Sequence, residues 1–95
     1  MTDIKDTLVE RATTHGDFDE VAFIAQHIKL ILRNGQSWDK MNNQQKEALE
    51  MIASKLARVV SGNPNEPDHM HDAAGYSKLY NQAIEDFEID NFLNS

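Results

Sequence analysis

The chain has 95 residues, no cysteine and a formal net charge of −7. That length holds one domain rather than two. The lack of cysteine excludes disulfides and thiolate-bound metals, and no apolar run approaches the roughly 18 residues of a membrane span. The opening MTDIKDTLVER is charged and has no signal-peptide core, so the sequence predicts a cytoplasmic protein with no membrane partner. A domain of this size buries only about 60–65% of its unfolded surface, which makes oligomerisation a natural supplement.

The apolar spacing is helical throughout, with no strand alternation. A first helix is expected from Asp3 to Thr13, with Ile4, Leu8 and Arg11 or Ala12 inward and Gly16 as its stop. A second is expected from Phe18 to Arg33, with Asp17 and Glu20 in capping-box spacing and Asn34-Gly35 as a left-handed stop. Its apolar residues run most of the way round, so it should lie centrally or bury a second face against another subunit. The segment QSWDKMNN reads as a linker with one turn of helix, Trp38 and Met41 covering the bundle end. A third helix, Asn43 to Val60, follows an Asn42/Gln45 cap and carries the stripe Leu49, Ile52, Leu56, Val59 and Val60. A fourth runs from Asp68 to at least Phe87 with Tyr76, Leu79 or Tyr80, Ala83 and Phe87 inward. Gly75 inside it costs about 1 kcal/mol against alanine, unless a close approach or the fraying first turn explains it. The fold class is therefore all-α, a single four-helix-bundle-like domain open to completion by oligomerisation; residues 1–2 are candidates for fraying, and about 89–95 either extend the last helix or fray.

Charge is unevenly spread. Residues 62–95 carry Lys78 against seven acids, whereas residues 42–61 carry three bases against two acids. An acidic last third argues against binding a nucleic-acid backbone, which needs clustered Lys and Arg.

Glu47 and Glu50 stand three apart, neighbours on one helix surface. Two carboxylates so placed can share a hard cation such as Mg²⁺ or Mn²⁺, and equally form a solvated helix start. Lys55 and Arg58 repeat the spacing and can grip a phosphate, or serve as salt-bridge partners to Asp68 or Asp72. The stretch DHMHD supplies Asp68, His69, His71 and Asp72 beside a loop with two prolines. Antiparallel packing of the last two helices would bring Glu50, Lys55, Arg58, Asp68, His69 and Asp72 into one cluster. The plainer reading makes Asp68 an N-cap and Asp72 a dipole-favoured acid. His71-Asp72, with His27 and Asp86 or Asp90, is the alternative His-Asp constellation. His15 and Asp17 in THGDF are either ligands or a helix stop and cap.

Arg11, HGDF at 15–18, EALEMIASKLARVVSGNP and HDAAGY together resemble a small uncharacterised domain of tailed phages and prophages, over roughly residues 4–80. More distantly, the third and fourth helices resemble the all-α nucleoside triphosphate pyrophosphohydrolases of the MazG and dimeric dUTPase type. That resemblance implies Mg²⁺ held by Glu47, Glu50 and Asp72; at the remaining position either the metal differs, Asp68 substitutes as ligand, or the site no longer hydrolyses anything. His69 stands where the family has a glutamate, a poorer match to Mg²⁺. It also implies dimers or tetramers.

The expectation is thus a phage-encoded binding module for a nucleotide-like ligand or a host protein, its contacts being Lys55, Arg58, His69 and Tyr76. The alternative is a metal-dependent pyrophosphohydrolase with metal ligands Glu47, Glu50, Asp68 and Asp72. A DNA-mimicking inhibitor using Glu85, Asp86, Glu88 and Asp90 is the third reading.

Overall fold

The computed structural model describes residues 4–94 and, among them, helices alone. Helix α1 spans Ile4–His15, α2 Phe18–Arg33, α3 Asn43–Ser61 and α4 Pro67–Leu93, with one 3₁₀ turn at Trp38–Lys40. Asp3, the expected first residue of α1, lies outside the described residues, as does the side chain of Ile4.

Local chemistry sets the boundaries. Gly16 ends α1 with a φ of 89°, backbone that a side chain rarely tolerates. Asp17 does precede α2, but its side chain makes no capping bond. The capping box expected there with Glu20 is absent. It forms at α3 instead: the Gln45 amide donates to Asn42 Oδ1 at 2.8 Å, and the Asn42 amide to Gln45 Oε1 at 2.9 Å. At the end of α2 no left-handed residue is needed. Asn34 stays right-handed at φ −87° and its side-chain amide donates to Leu30 O, closing the last turn without glycine's special conformation. Helix α4 begins two residues earlier in its cap than expected: Glu66, not Asp68, is the N-cap, and Pro67 takes the first helical position, where its missing N–H costs nothing. Beyond Phe87, where the sequence leaves extension and fraying open, the helix continues to Leu93.

Helix α3 is the centre of the molecule. It packs along α4 on one side and α2 on the other, while α1 makes only slight contact with α2 and α3. Helices α2 and α4 therefore flank α3 as a layer and do not close a four-helix bundle within one chain. The expected central position of α2 belongs to α3.

Alanine, not leucine, makes the close contacts. Ala48, Ala53 and Ala57 of α3 are buried, with Ala25 and Val21 of α2 and Ala73 and Ala83 of α4. Small side chains let helix axes approach, so the larger residues of α3 lie to one side of the contacts. Leu49, Ile52 and Val59 are half-buried, and Leu56 and Val60 are exposed. The stripe predicted as inner is thus only partly covered. On α4, Tyr76 and Tyr80 are half-buried and Ala83 buried, but Leu79 and Phe87 are exposed. Leu8 of α1 is likewise exposed. Gly75 has open space around it, so close approach does not explain it. Among the described residues, no helix is long and apolar enough to cross a membrane.

Candidate functional site

Two corners meet at one end of the layer. The α1–α2 corner presents Thr14, His15 and Gly16; the α3–α4 corner presents Ser61, Gly62 and Asn63. The Asn63 amide donates to Thr14 O at 3.1 Å. A Cβ on Gly62 would strike Thr14 O and Gly16 N, and one on Gly16 would sit 2.5 Å from Ser61 Cβ. Only glycines allow this backbone-on-backbone contact.

The contact brings two histidines together across 54 positions of sequence. His15 Nδ1 lies 3.2 Å from His69 Nε2, which is also 3.5 Å from Thr14 O. One proton is shared across the pair, His15 Nδ1 or His69 Nε2 donating according to the tautomer, and the Thr14 carbonyl can only accept. His69 is 2% exposed and is the largest fully buried side chain. It is a structural histidine, joining the start of α4 to the end of α1, and not the open ligand contact expected of it. The His15 pKa is lowered. Burial is the chief cause, followed by the fields of His69, Arg11 and Arg58, with Glu66 acting in the opposite direction.

Beside His15 a cleft of 320 Å³ opens between α1, the start of α2 and α3. Arg11 and Arg58 line it with His15, Asp17 and Phe18. Arg11 and His15 are one helical turn apart on α1, and Arg58 reaches in from the last turn of α3. Among the described residues neither guanidinium has an ion-pair partner. With Asp17 the site carries two permanent positive charges and one negative. Phe18 offers a ring that is 79% exposed.

The remaining candidates are dispersed. Glu50 turns to α2, where Arg33 Nη2 meets its Oε1 at 2.7 Å. Lys55 turns to α4 and meets Asp72 Oδ2 at 3.1 Å, the salt-bridge reading of that residue. Glu47 and Tyr76 line a separate α3–α4 groove with Leu79 and Asp86. Asp68 and His71 are exposed at the start of α4. His27 Nδ1 lies 2.6 Å from Phe23 O in its own helix. The single cluster expected from antiparallel packing is therefore divided three ways: α3 has partners on two opposite sides, and residues three to five apart point to different ones. Among the described residues, no three His, Asp or Glu side chains gather where a metal ion could be held, so Glu47, Glu50, Asp68 and Asp72 do not form one ligand set.

A family model described as a domain of unknown function, DUF6378, matches residues 3–84. The chain belongs to the DUF6378 family. No curated protein and no solved structure matches it. In this DUF6378 domain the matched span holds both glycine corners, the histidine pair and every residue of the cleft. Glu85, Asp86, Glu88 and Asp90 of the acidic end lie beyond it. Sequence reasoning passed over Arg11 as a site residue and gave His15 two roles without choosing. The available signal was their i, i+4 spacing directly before a glycine stop, which puts both on one face at a helix end.

Proposed function

We propose that this domain is a binding module for a phosphorylated, nucleotide-like ligand, seated in the cleft of Arg11, His15 and Arg58. The observation that carries the reading is the pair of guanidiniums converging on one cleft with no ion-pair partner among the described residues. Arginine's planar fork binds phosphate oxygens in two-pronged fashion, and the His15 imidazole lines the same cleft. Asp17 argues against a bare anion. Its carboxylate repels phosphate and accepts from a ribose hydroxyl or a base N–H, while Phe18 offers a stacking face. The cleft volume falls at the small end of ligand sites, about 300–1,000 Å³. Of the contacts expected from sequence, Arg58 stays in this proposal; Lys55 and Tyr76 lie elsewhere, and His69 acts through His15. The HGDF and D-x-AGY pattern, similar to that of an uncharacterised domain of tailed phages and prophages, supports a phage setting in which such a module acts on host metabolism or defence.

Isothermal titration with nucleoside mono- and triphosphates and with inorganic phosphate tests the reading. A nucleotide should bind, and more tightly than phosphate alone. Arg58→Ala and Arg11→Ala should each weaken it about tenfold or more, roughly 1.4 kcal/mol. Absence of binding heat for every nucleotide overturns the reading.

A further inference from the structure

The layer has two unlike faces. One carries the Arg33–Glu50 ion pair, Glu47 and the groove with Asp86. The other is found by counting round the helices at about 100° per residue. On α3, Leu56 lies half a turn from Glu47, and Val60 lies one turn on from Leu56. On α2, Ile31 points away from Arg33 two positions later. On α4, Met70 points away from Asp72 in the same manner. These four side chains are 71% (Ile31), 40% (Leu56), 67% (Val60) and 55% (Met70) exposed. The helix register set by Arg33–Glu50 and Lys55–Asp72 puts them at neighbouring levels. The α3 sector between them, from Gln45 through Leu49, Ile52, Leu56, Val59 and Val60 to Asn63, holds no charged residue.

We propose that this face is the interface between two copies of the chain, packed face to face about a two-fold axis near Leu56 and Val60. Three observations select a second copy as the occupant. The accessible surface is 7217 Å² for a 10.8 kDa chain, whereas a compact monomer of that mass exposes about 5,500 Å². The excess of roughly 1,700 Å² per chain, spread over an elongated molecule, is of the size an obligate homodimer covers. The interior is also incomplete: the fully buried apolar residues are Val21 and alanines, and among the described residues no leucine, isoleucine, phenylalanine or tryptophan is fully buried. Finally, a chain of net charge −7 repels its copy over most of its surface, and the α3 sector without charged residues is where two copies meet with the fewest like charges opposed; Lys40 and Glu88 flank it only at its Gln45 end, away from Leu56 and Val60. A basic partner would be drawn to the acidic end of α4 instead.

The test is sedimentation equilibrium of the full chain across the micromolar range, with circular dichroism as the folding control. A dimer of twice 10.8 kDa is expected, and Leu56→Asp and Val60→Asp should each weaken association at least about tenfold. Because the chain has no cysteine, Val60→Cys supplies a reading that does not depend on a destabilising charge. It should form a disulfide-linked dimer under mild oxidation, whereas Glu47→Cys on the opposite face should not. A wild-type chain that sediments at the monomer mass throughout overturns the proposal. A dimer that survives both aspartates, or one cross-linked from Glu47→Cys and not Val60→Cys, does the same for this face.

Discussion

A methyl group at residue 62 has no space, because Thr14 O and Gly16 N already occupy its position. Gly62→Ala should therefore destabilise the domain by about 1–3 kcal/mol through overpacking, seen as a lower urea midpoint at unchanged slope. Gly75→Ala is the internal contrast. That glycine stands within α4 with nothing near, and alanine there should stabilise by up to about 1 kcal/mol through helix propensity. The histidine pair gives the same corner a pH response. His15 has a folded-state pKa below its usual 6.5, so the unfolded chain takes up its proton first as pH falls. The stability this contributes is fully present above about 6.5 and is lost as pH drops through the folded value. Urea midpoints should fall from neutral toward mildly acidic pH, and His15→Asn should flatten that part of the profile. An unchanged profile would remove His15 from this role.

At the scale of elements, the helices are held by caps and alanine contacts more than by charge. The reciprocal Asn42–Gln45 bonds close the start of α3, the helix on which both neighbours pack. Asn42→Ala should cost about 1 kcal/mol, whereas Asp17→Ala, removing a side chain with no capping bond, should cost much less; the two midpoints compared directly decide this. Cap chemistry was partly legible in sequence. Asn42 and Gln45 bond as their spacing implies, yet Asp17 and Glu20, with the same spacing, do not. Spacing alone does not decide whether a cap bond forms: Asp17 leaves its helix start unbonded and lines the cleft with Arg11 and Arg58. The tail from Glu85 to Phe92 shows the converse. Its sequence leaves extension and fraying open beyond Phe87, and a helix already running from Pro67 adds each further turn without a new nucleation cost.

The whole molecule is long for its mass. It measures 58 × 28 × 23 Å with a radius of gyration of 16.7 Å, against about 12 Å for a compact chain of this length. Three helices in a layer leave a broad surface for water, and small domains have little interior to spare. If two copies cover the face of Leu56 and Val60, the melting temperature should rise with protein concentration by mass action. In Leu56→Asp that concentration dependence should vanish, a check available from thermal scans alone.

Composition and periodicity determined that the chain is helical, where α2 and α3 start, and that α2 carries more apolar surface than one core contact can cover. These are local properties, fixed by spacing along a single helix. Only the tertiary structure decided which apolar residues are inside. The stripe of Leu56 and Val60 gave way to Ala53 and Ala57, since helix axes approach most closely across small side chains. It also decided the candidate site. Glu50, Lys55 and Arg58 lie within nine positions yet face three different partners, because a helix flanked on both sides divides its residues by angle and not by proximity in sequence. Arg11, His15, Arg58 and His69 span nearly 60 positions and share one corner, because Gly16 and Gly62 let two turns touch where any other residue would hold them apart.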